Sequence, residues 1–230
     1  MAAPLLRTKL HIPPVRSKLV LRPRLIEQLD AGRDRRLTLI SAPAGFGKTT
    51  LLSQWIQQSE FPVAWLSLDK GDNDPARFWA YVIAALQLVR AEIGKAALTA
   101  FQPPQLPPTE EFLMALIDEV AVIPEPFTLI LDDYHVIETQ PIHNTLASLL
   151  AHLPPKMHLV IASRADLPLP IARLRGHGQL TELRLTDLCF TPHEVTEFLN
   201  QVVGLKLSAD EIATLSSCLL YTSPSPRDRS

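Results

Sequence analysis

Short runs of apolar residues alternate along the chain with longer segments whose apolar positions have helical spacing. The apolar runs lie at 37–41, 63–68, 127–133, 158–163 and 180–185. Most of them are apolar at consecutive positions, which is typical of strands covered on both faces of a sheet. Helices are predicted at 48–59, 75–90, 110–122, 141–152 and 170–176. The alternation predicts an α/β fold with a mostly parallel five-stranded sheet and right-handed crossovers.

After the last predicted strand the pattern changes to that of short helices. Thr191 is a predicted N-cap, with Pro192 at the first helical position and Glu194 as its capping-box partner. Ser208 and Glu211 repeat this helix-start signal further along the chain. We therefore expect a small helical domain to begin in this part of the sequence.

The end of the chain, CLLYTSPSPRDRS at 218–230, breaks the helical pattern in the middle of an element. It resembles the in-frame translation of a sequencing adaptor more than it resembles natural protein. We expect the natural sequence to end near Ser217, inside a longer parent protein. A disordered natural C-terminus is the alternative.

Composition and charge place the chain among soluble globular proteins. Of its 230 residues, 47% are hydrophobic and 20% are charged, and the formal net charge is −2. Residues 1–36 are more basic than the rest of the chain, because they contain nine basic and only three acidic residues. Such a basic arm suits contact with phosphates or nucleic acid, and a solvated N-terminal segment is the equally open alternative.

Cysteine usage and hydropathy bear on the compartment. Cys189 and Cys218 form no metal-binding spacing and no disulfide framework, as expected in a reducing environment. The N-terminus lacks the apolar core of a signal peptide, and the apolar stretch at 80–89 is too short to span a bilayer. A cytoplasmic protein without membrane contact is therefore expected.

The segment SAPAGFGKTT at 41–50 joins the first predicted strand to an amphipathic helix. Its glycines allow successive N–H groups to point at phosphate oxygens, and the helix N-terminus adds partial positive charge. Lys48 is placed to reach the β- and γ-phosphates, the Thr49 hydroxyl to bind Mg²⁺, and Thr50 to contact the α-phosphate side. The predicted nucleotide contacts are Ala42, Pro43, Ala44, Gly45, Phe46, Gly47, Lys48, Thr49 and Thr50. The pattern predicts a P-loop NTPase, and a chance Gly-Lys-Thr in a strand–turn–helix connection is the alternative.

Two carboxylates close the predicted strand at 127–133, where a P-loop protein completes its Mg²⁺–nucleotide site. Asp132 is the predicted Mg²⁺ ligand, directly or through water. Asp133 is then placed to polarise an attacking water. Adjacent carboxylates after a buried strand serve no packing purpose, which favours this functional interpretation.

Arg164 directly follows the predicted strand at 158–163, at the strand end where ligands bind in open α/β sheets. If this sensor strand lies between the P-loop strand and the Asp-Asp strand, Arg164 can touch the γ-phosphate and sense its presence. An ordinary surface arginine is the alternative.

With these motifs in line, the chain resembles the signal-transduction ATPases with numerous domains (STAND class). More closely, it resembles the N-terminal region of the large ATP-binding transcriptional regulators of the LuxR type, from about Leu6 to Ser217. The residues that carry the resemblance are LLRTKLHIPP, LVLRPRL, SAPAGFGKTT, VAWLSLDKGDNDPARFWAYVIAAL, LILDDYH, VIASRADLPLPIARLRGHGQL and LRLTDLCFTPHEVTEFL. DNDPARFWAY and DDYH are the specific ones, because generic P-loop proteins lack them.

The resemblance implies an ATP switch, in which Mg-ATP and ADP control self-association and promoter activation. It implies that Arg22 and Pro23 lie near the adenine. DNA and RNA polymerase would be contacted through C-terminal regions that this sequence does not contain. The doubled Asp, in place of the Asp-Glu of fast ATPases, implies slow hydrolysis, and His135 fits the DDYH motif without an assigned role.

Two other functions remain open at this point, namely a P-loop phosphotransferase or kinase and an inert module that holds ADP. The predicted organisation is a basic arm with the adenine-side segment at 1–36, a P-loop ATPase domain at 37–186, the truncated start of a helical domain at 187–217 and the adaptor-derived tail at 218–230.

Overall fold

The structure is a computed structural model, and it describes residues 5–15, 19–95, 97, 110–202 and 204. Within these residues one parallel sheet has five strands, in the order β2-β3-β4-β1-β5. The strands are β1 (Leu37–Ser41), β2 (Val63–Ser67), β3 (Phe127–Asp132), β4 (Met157–Ser163) and β5 (Leu180–Leu183). Because β4 pairs with β1 on one side and with β3 on the other, the predicted sheet and the place of the sensor strand are confirmed.

Helices cover both faces of this sheet. In the described residues they are α1 (Pro23–Ala31), α2 (Lys48–Gln57), α3 (Pro75–Val89), α4 (Glu110–Ala121), α5 (Gln140–Ala151), α6 (Ile171–Gly176), α7 (Leu185–Leu188) and α8 (Pro192–Glu197). Short 3₁₀ turns lie at Arg7–Leu10, Lys70–Asn73 and Tyr134–Val136, and a π-helical turn at Phe198–Val202 follows α8. The elements alternate as the apolar pattern predicts.

The consecutive apolar positions in the strands serve two separate cores. In β1, Leu39 packs with α3, α4 and α5 on one face, whereas Ile40 packs with α1 and α2 on the other. The same alternation occurs in β3, where Leu129 and Ile130 belong to different cores. A sheet covered on both faces needs apolar side chains in both directions, which explains the unbroken runs.

Helix α1 lies in the segment that the sequence pattern suggested to be a basic arm. Leu25 and Leu29 are fully buried against α2, and Trp55 Nε1 of α2 donates a hydrogen bond of 2.8 Å to Asp30 Oδ1. After the helix the backbone passes so close to β5 that a Cβ on Gly32 would lie 2.6 Å from Thr181 Oγ1. The packed helix is therefore not a solvated arm. Its apolar positions, Leu25, Ile26 and Leu29, lie among charged residues in the sequence, which obscures the helical pattern.

The predicted capping box at the start of the helical region is confirmed. Thr191 Oγ1 accepts a hydrogen bond of 3.2 Å from the Glu194 N–H, and Glu194 Oε2 accepts one of 2.8 Å from the Thr191 N–H. Helix α8 begins at Pro192, as expected. The second predicted helix start, at Ser208 and Glu211, lies outside the described residues, as does the tail at 218–230.

A helix that crosses a membrane must be both long enough and apolar enough to do so. None of the helices in the described ranges combines the length and the apolar character that a bilayer crossing requires.

Candidate nucleotide-binding site

The loop between β1 and α2 has the backbone conformation that its glycines predict. Gly45 and Gly47 have φ values of 84° and 74°, in the left-handed region that side chains other than glycine rarely adopt. Gly47 is the N-cap of α2, so the first free N–H groups of the helix open onto this loop. Ala42 is buried in the core between β1 and α2, which accounts for a small residue where the usual motif has glycine.

Lys48 is the first residue of α2, and its side chain folds back over the loop. Its ammonium group donates hydrogen bonds of 2.7 Å to Ala42 O and 3.0 Å to Pro43 O, and the residue is 6% exposed. Burial lowers the pKa of Lys48, as does the charge of Arg164, while Asp133 and Asp132 raise it. A partly desolvated cation beside weak carbonyl acceptors is well suited to exchange them for phosphate oxygens.

Thr49 and Asp132 are brought together from two different elements. The Thr49 hydroxyl donates a hydrogen bond of 2.8 Å to Asp132 Oδ2, and the Asp133 N–H donates one of 3.0 Å to Asp132 Oδ1. Burial is the main cause that raises the pKa of Asp132 to about 6; the charge of Asp133 adds to the rise and the Thr49 bond opposes it. Such a carboxylate is stabilised by a bound cation.

The oxygen donors of Thr49 and Asp132 fit Mg²⁺, a hard cation bound in proteins by few side chains together with phosphates and water. In the ranges that the structure describes, no group of three or more His, Cys, Asp and Glu side chains could hold a metal without such help. A magnesium ion held by Thr49 and Asp132 would need further oxygen ligands from a nucleotide and water.

Asp133 stands at the turn immediately after β3. Its backbone φ of 57° is left-handed, and its side chain is 41% exposed. His135 Nδ1 lies 3.7 Å from Asp133 Oδ1 and is buried without a hydrogen-bond partner in the described structure. Burial lowers the pKa of His135, and so do the charges of Arg164 and Lys48, against the effect of Asp133. His135, whose role the sequence left open, thus lies beside the carboxylate of Asp133.

Arg164 follows Ser163, the last residue of β4, and is exposed at the same sheet edge. Ser163 pairs with Ser41 at the end of β1, so Arg164 emerges beside the start of the P-loop. Its charge acts on both Lys48 and His135. The topology thus brings Arg164 to the edge where the predicted phosphate and carboxylate residues meet.

Arg22 and Pro23 contact a different part of the structure from the phosphate and carboxylate residues described above. The Arg22 guanidinium is buried, donates hydrogen bonds of 2.7 Å to Leu188 O and 3.1 Å to Cys189 O, and lies 5.0 Å from the Phe190 ring centroid. Pro23 is the first residue of α1. These contacts join the segment before α1 to the connection between α7 and α8, which the sequence pattern alone did not indicate.

A cavity of about 630 Å³ lies at the opposite edge of the sheet, lined in part by Arg35, Arg36, Met157 and Leu174. These residues are near the amino ends of the strands. Ligands of open parallel sheets bind at the carboxyl ends, and the paired functional groups described above are also there. The P-loop edge is therefore the candidate site.

Comparison with known sequences gives a consistent family. No protein-family model matches the chain. Among curated proteins, the HTH-type transcriptional regulator MalT of Klebsiella pneumoniae is 36% identical over 211 residues, which are 92% of this chain and 23% of the relative. MalT of Cronobacter sakazakii is 38% identical over 196 residues, 85% of this chain and 22% of the relative. The chain thus spans less than a quarter of the length of these relatives.

Among solved structures, a STAND protein with a tetratricopeptide repeat sensor from Pyrococcus horikoshii matches with a TM-score of 0.62 and 15% identity, over 95% of this chain and 30% of that one. A Walker-type ATPase of Pyrococcus abyssi matches with a TM-score of 0.50 and 16% identity, over 88% of this chain and 64% of that one. At such identities the likeness concerns the fold. The chain has the α/β fold of P-loop ATPases and, by sequence, belongs to the family of the MalT-type transcriptional regulators.

Proposed function

We propose that this chain is the ATP-binding, weakly hydrolysing switch domain of a larger transcriptional regulator. The observation that carries the proposal is the 2.8 Å hydrogen bond between Thr49 of the P-loop helix and Asp132 at the end of β3. It joins the two groups that a magnesium nucleotide requires, beside the ammonium group of Lys48.

Nucleotide binding follows from the loop itself. The N–H groups between Gly45 and α2 surround the phosphates, and Lys48 leaves the carbonyls of Ala42 and Pro43 for phosphate oxygens. Thr49 and Asp132 would hold Mg²⁺, which neutralises charge on the phosphates when it is bound.

Hydrolysis uses the groups that follow β3 and β4. Asp133 orients a water molecule whose oxygen attacks the γ-phosphorus, while the bond from that phosphorus to the bridging oxygen breaks, giving ADP, phosphate and a proton. Arg164 compensates negative charge on the transferred group. A short, half-exposed carboxylate positions water loosely, which fits slow turnover and a switch.

The regulatory part of the proposal rests on the family. The relatives are named as HTH-type transcriptional regulators, and this chain corresponds to less than a quarter of them. We infer that Mg-ATP and ADP favour different states of self-association in the parent protein, and that DNA and RNA polymerase are contacted by other regions of it.

The test is equilibrium binding of fluorescent ATP and ADP analogues in Mg²⁺, together with ATP turnover. We expect Lys48→Ala to abolish binding without unfolding the chain, because the described hydrogen bonds of the Lys48 side chain go to two loop carbonyls. Lys156→Ala, an exposed lysine beside the amino end of β4, is the matched control and should bind as the parent chain does.

The outcomes separate the remaining functions. Binding without turnover, with ADP retained through purification, would favour an inert ADP-holding module. Turnover that requires a small-molecule acceptor would favour a phosphotransferase. Binding that survives Lys48→Ala would contradict the P-loop site.

A further inference from the structure

We propose that Asn73 is a positioning residue for Asp133, and thereby for the water that attacks the nucleotide. This inference rests on the proposed ATP hydrolysis. Asn73 is the last residue of the 3₁₀ turn that follows β2. It lies outside the P-loop and is distant in sequence from Asp132 and Asp133.

The Asn73 carboxamide is hydrogen-bonded to groups of two segments, most of them backbone groups. Its Nδ2 donates hydrogen bonds of 2.7 Å to Val136 O and 3.1 Å to Lys70 O. Its Oδ1 accepts hydrogen bonds of 2.7 Å from the Glu138 N–H, 3.2 Å from the Thr139 N–H and 3.1 Å from the Thr139 hydroxyl. An aspartate lacks the two donors, and an alanine lacks all five bonds. The side chain therefore bridges the loop after β2 to the segment after β3.

The segment that Asn73 holds is the continuation of Asp133. The Val136 N–H donates a hydrogen bond of 3.2 Å to Asp133 O, so the turn that begins at Asp133 ends at the residue whose carbonyl Asn73 binds. Asp133 is the one non-glycine residue with positive φ among the described residues. Such a conformation persists when its surroundings fix it, and Asn73 supplies that fixation on one side.

Asn73 is itself anchored by a buried ion-pair group. The carboxylate of Asp72 is fully buried and pairs with Lys9 of the N-terminal 3₁₀ turn and, at 3.2 Å, with Arg77 Nε of α3. Lys9 is itself 8% exposed and lies 4.5 Å from the Tyr81 ring centroid. Because the preceding residue is held from two elements, the Asn73 side chain starts from a fixed backbone.

This geometry separates turnover from binding. The hydrogen-bond partners of the Asn73 side chain lie at 70 and 136–139, whereas the phosphate-binding groups lie at 42–50. Loss of the bridge therefore displaces Asp133 and leaves Lys48 and Thr49 in place. A displacement of about 1 Å at a reacting group lowers rates by as much as roughly 100-fold.

The experiment compares Asn73→Ala with the unsubstituted 230-residue chain, using Mg-ATP turnover, the Kd of a fluorescent ATP analogue and hydrogen–deuterium exchange. We expect kcat to fall roughly 10- to 100-fold with Kd within about twofold, and faster exchange at the Glu138 and Thr139 amides. Asn144→Ala, which removes an exposed carboxamide bonded to Gln140 on α5, is the matched control and should change none of these.

Thr139→Val is a milder second variant, because it removes the hydroxyl contacts of 2.7 Å to Asn73 O and 3.1 Å to Asn73 Oδ1 and keeps the four bonds between the carboxamide and backbone groups. It should give a smaller fall in kcat, and it keeps the test decisive if Asn73→Ala does not fold. Unchanged kcat in the folded variants, or kcat and affinity lost together, would overturn the positioning role. Absence of turnover in the unsubstituted chain would instead overturn the proposed hydrolysis, so the two failures are distinguishable.

Discussion

The buried carboxylate of Asp132 is destabilised by its surroundings in a way that a bound cation would relieve. Its carboxylate is 3% exposed and accepts hydrogen bonds from Thr49 and from the Asp133 backbone. These bonds offset part of the cost of burial, yet burial still raises its pKa from 3.8 to about 6. The folded state therefore binds this proton more tightly than the unfolded state does. From this group alone, the free energy of unfolding falls as the pH rises from about 4 to about 6.

Asp132→Asn should remove this cost. In Mg²⁺-free buffer at pH 7 we expect the free energy of unfolding to rise by about 1–3 kcal/mol, with the difference vanishing near pH 4, where the carboxyl is protonated. The same variant should lose the Mg²⁺ dependence of ATP binding. Chemical denaturation across this pH range is the measurement, with Asp118→Asn on the exposed face of α4 as the control. A variant that is less stable at pH 7 would contradict the argument.

The candidate site was largely predictable at the scale of single residues, because phosphate and Mg²⁺ chemistry restricts residue types within short windows. Lys48, Thr49 and Asp132 could be placed from the local pattern, and the structure brings them together. The partners of Asn73 and of Arg22 could not be predicted in this way. The Asn73–Val136 and Arg22–Leu188 bonds join residues 63 and 166 positions apart, and no local pattern encodes such pairings.

At the scale of elements, strands were easier to predict than the segments that pack around them. Unbroken apolar runs required a sheet covered on both faces, and the five strands agree with the predicted runs to within about two residues. Helix α1 was missed, because its apolar positions, Leu25, Ile26 and Leu29, are few and lie among charges. Its burial depends on α2, which the local sequence does not reveal.

Ion pairs to the buried carboxylate of Glu194 join the start of α1 to α8. Arg24 donates hydrogen bonds of 3.1 and 3.2 Å to the two carboxylate oxygens of Glu194, and Arg22 Nε lies 3.7 Å from Glu194 Oε1. Burial raises the pKa of Glu194, but the bonds from Arg24 and the Thr191 N–H and the charge of Arg22 outweigh it, so the pKa lies below 4.5. These ion pairs contribute stability above that pH and lose it as the pH falls through the lowered pKa.

Glu194→Gln should therefore destabilise the chain at neutral pH by about 1–3 kcal/mol, since it removes the counter-charge of the buried Arg22 and of the partly exposed Arg24. The loss should shrink as the pH falls through the lowered pKa of Glu194, where the carboxylate of the parent chain is also neutralised. Denaturation at pH 7 and at low pH measures this. Glu197→Gln, on the same helix and without a described ion pair, should cost much less. Equal losses of stability in both variants would refute a specific contribution of the Glu194 ion pairs.

At the scale of the whole molecule, the functional groups gather at one edge of the sheet. Lys48, Asp132, Asp133 and Arg164 all stand at the carboxyl ends of β1, β3 and β4. Helix α2, which carries Lys48, packs on α1, and the arginines at the start of α1 hold α8. Two packed helices thus connect the P-loop to α8.

Ligand-linked stability tests this connection, because a nucleotide that binds the folded chain stabilises all of its packed elements together. Mg-ATP at 100 times its Kd should raise the free energy of unfolding by about 2.7 kcal/mol, and EDTA should remove part of this gain. Lys48→Ala should show no gain. A gain of equal size in Lys48→Ala would place the nucleotide elsewhere, for example on the basic N-terminal residues, and would contradict the P-loop site. A full gain confined to the unsubstituted chain would tie the stability of the whole fold to the groups around Lys48.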